Sequence, residues 1–191
     1  AHVYPWIGQD NESPLAFGER IAKRLGALFS IKNGVMVVAA RGAGISPTGL
    51  ALTGATIGPE NIIVGSCRFD FSDRTQYKTV KARFPDRAQG KTIEIEIPSD
   101  SIGKAAFRMG EQFMNEAEAR LAATSKAKEL KRRQVKFSVN VEGDPAIRAG
   151  APIRFRNTLP EIDGQTFIVE TATHSISKSG YVTSLDGHIQ A

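Results

Sequence analysis

Apolar residues recur at helical spacing in one stretch near the N-terminus, and then the pattern turns to alternation. Leu15, Phe17, Ile21, Ala22 and Leu25 share one helical face, with Glu19, Arg20, Lys23 and Arg24 on the other. Ser13 is placed to cap this helix, Pro14 suits its first position because proline has no N–H to orphan there, and Gly26 ends it. Residues 28–32, the pair Asn33-Gly34 and residues 35–41 then read as a hairpin, since Asn-Gly fits the type I′ turn that matches strand twist. Together these predict a compact αββ unit.

Gly42, Gly44, Pro47, Gly49, Gly54, Gly58 and Pro59 crowd the next stretch, which predicts a linker or long loop. Residues 62–71, 76–84 and 91–97 follow as strands; Ile93, Ile95 and Ile97 alternate with Thr92, Glu94 and Glu96 as in a half-buried strand. A second helix opens at Asn115, with Glu118 three residues on at capping-box spacing, and runs to about Arg132. Ala119, Ala123, Ala127 and Leu130 give it a narrow face of mostly small residues that lets it lie close to a sheet. Strands resume at 135–141, 153–156, 165–176 and 181–189, with Pro145, Gly150, Gly164 and Gly180 supplying the turns. The expected fold class is α+β, mostly β. The expected division is a helix–hairpin unit at 1–45, a linker or loop at 46–59, and a β-rich domain at 60–191 that includes the 115–132 helix.

With 191 residues, 41% apolar and 24% charged, the chain can bury a substantial core, so disorder is not expected. No apolar run approaches the roughly 20 residues needed to cross a bilayer, and the N-terminus lacks a signal-peptide layout, so a soluble protein with no membrane insertion is expected. The start at Ala1 rather than methionine suggests a processed or truncated product. Cys67 is the single cysteine, which excludes an internal disulfide; its neighbours offer one charge, Arg68, so it reads as a plain strand cysteine. The net charge of +5 permits an acidic partner without requiring one. Lys126, Lys128, Lys131, Arg132 and Arg133 cluster where the second helix ends, and there cations meet the negative end of the helix dipole.

The candidate chemistry is sparse. His2, His174 and His188 form no ligand pair and have no cysteine at ligand spacing, so no metal site is expected. His174 stands beside Ser175, but strand neighbours point to opposite faces and cannot act as base and nucleophile; His174 is expected to be a structural, hydrogen-bonded residue. Gly42 to Pro47 lacks the third glycine, the lysine and the following helix of a phosphate loop. Glu94 and Glu96 share a strand face, as do Asp70 and Ser72, and such alternation is ordinarily a solvent face. No catalytic residue and no cofactor are expected.

Four motifs in order resemble the phage late control D family. These are Gln9 to Ser13 with Phe17, Glu19-Arg20-Ile21-Ala22 and Leu25-Gly26; Asp73-Arg74 with Tyr77, Val80, Ala82 and Phe84; the helix start at Glu116 to Ala119; and the tail from Gly143-Asp144-Pro145 through Asp163-Gly164 and His174 to Gly180-Tyr181. The resemblance implies a tube-like β-barrel or split barrel with one long packed helix. It implies a baseplate hub of a contractile tail, related to the spike base of type VI secretion, with no catalysis. Arg74, Tyr77, Asp163, Gly164, His174 and Gly180 become family-matched structural positions. The implied partners are two further copies in a homotrimer, the tail spike, the tail tube and DNA passing transiently through the lumen; the implied location is the virion baseplate, assembled in the host cytoplasm. Gly18 departs from the pattern, where a large apolar residue is usual, and is expected to loosen the first helix; the loop Asn157 to Pro160 departs by its length. Two other readings compete: a peptidoglycan-binding module, from a loose likeness of residues 14–34 to a LysM unit, and a cell-wall hydrolase.

Overall fold

The computed structural model describes residues 6–32, 34–40, 42, 44, 51–86, 89–100 and 103–191. Helix α1, Pro14–Arg24, begins as its sequence requires: Ser13 accepts the Ala16 amide at 3.2 Å and proline holds the first turn. Strands β1, Ala27–Lys32, and β2, Val35–Ala40, pair antiparallel. Gly34 takes φ +75° in their turn, while Asn33 lies outside the described residues. Gly18 does not leave α1 loose. The Phe29 ring of β1 fills the space above it, with its Cζ 2.6 Å from where a Cβ would stand, so the absent side chain admits the ring.

Of the predicted linker at 46–59, residues 46–50 lie outside the described residues. At 55–57 it contains a strand, β3, Ala55–Ile57. The strand expected at 62–71 is shorter: β4 is Arg68–Phe71, and Ile62 makes only an isolated bridge to Val141. Strand β5, Tyr77–Asp86, is the centre of a three-stranded sheet, flanked antiparallel by β6, Lys91–Pro98, and parallel by β7, Ala105–Gln112. No strand was expected at 105–112, where Ala105, Ala106 and Gly110 weaken the signal. Helix α2, Glu116–Arg132, covers one face of this sheet. Ala119, Ala122, Ala123, Ala127 and Leu130 are buried against Val80, Ala82 and Phe84 of β5, because small side chains let helix and sheet approach closely.

The remaining strands build a six-stranded, curled half-barrel in the order β3-β9-β10-β11-β8-β4. Here β8 is Val135–Glu142, β9 Pro152–Phe155, β10 Thr166–Ser177 and β11 Gly180–Ile189. Four rings, Phe69, Phe137, Phe155 and Phe167, meet in its concave core, mostly edge to face, which suits the charge distribution of aromatic rings. Gly187 lets β11 pass: a Cβ there would lie 2.2 Å from the Ile168 carbonyl oxygen and 2.5 Å from the Phe137 ring. The described residues are thus mostly β with two α-helices, the fold class expected.

Arg24, at the end of α1, fastens the αββ unit to the body. Its guanidinium pairs with Glu111 of β7 at 2.9 Å and with Glu118 of α2 at 3.3 Å, and stacks over Phe113 at 5.9 Å. Glu118 is buried and also accepts the Met114 amide at 2.8 Å. This corrects the expected capping box. Asn115 does cap α2, accepting the Glu118 amide at 2.9 Å, but the Glu118 carboxylate is turned to Met114 and Arg24. Arg24→Ala should therefore loosen the αββ unit while the rest stays folded, because it removes the charge that faces a buried carboxylate. Limited trypsin digestion should cut at Lys23 roughly tenfold faster or more, the factor given by about 1.4 kcal/mol of lost docking energy; an unchanged rate would refute this role.

Candidate functional site

The positions singled out by sequence lie apart. Asp73 and Arg74 form a 3₁₀ turn before β5, where Gln76 donates to Asp73 at 3.2 Å and Arg74 is exposed. Tyr77 packs edge to face on Phe107 of β7, 5.3 Å between centroids. It reaches the helix-covered face because the β5–β7 ladder is irregular between Tyr77 and Thr79. Asp163 closes the loop after β9: its Oδ1 accepts the Thr158 amide at 3.1 Å and hydroxyl at 2.9 Å. Those hydrogen bonds, the Thr158 amide foremost, hold its carboxyl below the usual range. Gly164 follows with φ +80°, and Gly180 turns the β10–β11 hairpin with φ +127°.

His174 and Ser175 point to opposite sides of β10. Nδ1 of His174 lies 3.1 Å from the Thr183 hydroxyl and 3.0 Å from the Tyr181 hydroxyl, a cross-strand cluster in which Thr183 is fully buried. Cys67 sits just before β4 rather than within a strand, and burial pushes its thiol pKa up, away from a reactive thiolate. Glu94 and Glu96 both face Lys81, at 3.1 and 3.6 Å, so they are a charge-paired sheet face. Among the described residues no group of three or more His, Cys, Asp or Glu side chains could hold a metal ion, and no helix is long and apolar enough to cross a membrane. The basic cluster is largely tied into the fold: Lys126 and Arg133 both pair with Glu129, at 3.1 and 2.8 Å, and Arg132 is buried. A cleft of about 880 Å³ between β1, the end of α2 and β8 mixes both signs of charge, with Lys23, Arg132 and Lys136 beside Glu19, Asp70 and Glu129.

The structure instead displays surfaces suited to assembly. On the α1 side of the β1–β2 hairpin, Ile31, Met36 and Val38 are 50%, 65% and 56% exposed; on the other side Val35 is 62% exposed. One short helix cannot cover a sheet that is apolar on both faces. The run Val35-Met36-Val37-Val38, unbroken by a polar residue, was the available signal, since strands buried on both sides read as continuous apolar runs. The outer half of β10 is also exposed, with Ile176 near the tip of its hairpin. Among the described residues, β1, β2, β3, β4, β6 and β7 form sheet edges.

Solved structures place this architecture. The 43 kDa tail protein of prophage MuSo2 from Shewanella oneidensis superposes with a TM-score of 0.68 over 94% of this chain and 55% of its own, at 16% identity. The chain shares its fold with phage tail proteins. The tail protein from Neisseria meningitidis MC58 gives a TM-score of 0.67 over 96% of this chain and 57% of its own, at 13% identity. A chain in the virion of the native gene transfer agent particle gives 0.52 over 90% and 37%, at 13% identity. At these identities it is the fold that is shared, and the chain spans little more than half the length of the two tail proteins. A family model described as YQBQ-like matches residues 106–186, from β7 through α2 to β11. No curated protein matches the chain in sequence.

Proposed function

We propose that this chain is part of a structural protein of a phage or phage-like contractile tail, the baseplate hub that joins the tail tube to the central spike. The observation that carries the reading is the superposition of more than nine-tenths of the chain on two tail proteins. The exposed apolar hairpin and the open sheet edges support it, because such surfaces are costly in a monomer and are covered in an assembly. The family resemblance supplies the finer parts: a homotrimer, contact with spike and tube, DNA in the lumen and a place in the virion. The described residues give no arrangement from which to build a cell-wall hydrolase. In this reading residues 1–45 form an appended unit, 46–59 connect it and lend β3 to the edge of the half-barrel, and 60–191 form the rest of the barrel-like part.

Light scattering on the full reading frame, alone and mixed with the candidate spike protein, tests the proposal. A trimer that takes up one spike trimer is the expected result. A monomer indifferent to the spike and retained on purified peptidoglycan would overturn it in favour of a wall-binding module.

A further inference from the structure

The three-stranded sheet ends on both sides in a free strand of eight residues, β6 and β7. Long free edges invite pairing with another chain unless they are blunted or covered. We propose that these two edges are complementary, so that β7 of one copy adds antiparallel to β6 of a second copy. This deepens the hub reading by naming a contact between its subunits, and it rests on that reading for the choice of a second copy as occupant.

Side-chain pattern selects the register. On the α2 side, β7 carries Ala105, Phe107 and Met109, and β6 carries Ile93, Ile95 and Ile97; on the bare side, β7 carries Ala106 and Arg108, and β6 carries Glu94 and Glu96. Setting Phe107 opposite Ile95 places Ala105 and Met109 opposite Ile97 and Ile93, and Arg108 opposite Glu94. Apolar then meets apolar beneath the helix layer, and cation meets anion on the bare face. A shift of one residue sets Arg108 against an isoleucine and turns every side chain to the wrong face. A shift of two either carries Ala105 past the end of β6 or sets Arg108 against Thr92.

Charge within one copy points the same way. Lys81 of β5 lies beside Arg108 in the ladder, and it is Lys81 that both Glu94 and Glu96 of its own chain approach. Arg108 has no ion pair among the described residues, and the second copy's Glu94 would supply one. Of the matching residues, 106–108 pair with β5 in step; the ladder shifts register between Tyr77 and Thr79 and again between Lys81 and Arg83. Since β6 runs antiparallel to β5 and β7 parallel to it, each junction is antiparallel and head to tail, the kind of contact that closes into a ring when the rotation allows.

Cysteine cross-linking tests the register. In a Cys67→Ser background, Ala106→Cys with Glu96→Cys puts two exposed positions directly opposite across the junction, with Cα atoms about 5 Å apart, a separation that a disulfide spans. Ala106→Cys with Thr92→Cys keeps the same face but separates the thiols by about 13 Å along β6. Mild oxidation should convert most of the first variant into covalent multimers on non-reducing gels and leave the second monomeric. No multimer from the first variant, or equal yields from the two, overturns the edge pairing. A trimer by light scattering without the first cross-link overturns this pairing and leaves the hub reading standing. A cross-linked ring that ignores the spike upholds the pairing and overturns the hub.

Discussion

Phe84→Asp should abolish the cooperative thermal transition followed by circular dichroism, while Glu94→Ala with Glu96→Ala should melt close to the parent protein. Phe84 is 8% exposed in the layer between β5 and α2, where Val80, Ala82 and the alanines of the helix offer no hydrogen-bond donor to a carboxylate. Burying that charge costs more than about 4 kcal/mol, a large part of the roughly 5–15 kcal/mol that holds a domain together. Glu94 and Glu96 lie on the opposite face, paired with the half-buried Lys81. Water screens pairs of this exposure, and they add little to stability. If the glutamate double variant unfolds and Phe84→Asp does not, the assignment of faces in this sheet is wrong.

Phe167→Ala should lower stability by about 3–5 kcal/mol, the usual cost of removing a buried aromatic ring. Phe167 is fully buried, with ring centroids 5.4 Å from Phe155, 5.7 Å from Phe137 and 6.2 Å from Phe69. These rings come from four different strands, β4, β8, β9 and β10, so the half-barrel has little freedom to collapse into the cavity left behind. Chemical denaturation read at equilibrium should show the midpoint fall with the slope unchanged. A loss below about 1 kcal/mol would mean that the aromatic cluster is not the centre of this core. The two substitutions probe separate cores, one beneath α2 and one inside the half-barrel.

Much of the local structure was legible because its causes are local. Ser13 with Pro14 and Asn115 with Glu118 marked the starts of both helices, and the glycines at 150, 164 and 180 take the positive φ that their turns need. The alternation of Ile93, Ile95 and Ile97 with Thr92, Glu94 and Glu96 assigned the two faces of β6, and the small-residue stripe of α2 marked the face it buries. Other elements left weaker traces. Strand β7 has alanine and glycine at three of eight positions, and β3 is three residues long beside glycines, so neither carries enough apolar periodicity to be read. The candidate site was the least legible part. Exposure of an apolar side chain depends on what fails to cover it, and no residue type records that.

The sequence by itself determined both described helices, most strands and the glycine turns at 150, 164 and 180, since caps, φ preferences and period-two patterning act over a few residues. Only the tertiary structure decided that β7 runs parallel beside β5, that Phe29 fills the space over Gly18, and that Gly187 lets β11 pass Ile168 and Phe137. It also turned Glu118 from its own helix cap toward Arg24, ninety-four residues away. These features depend on which distant segments meet, and contact between remote parts of a chain is set by the packing of the whole core rather than by any local pattern.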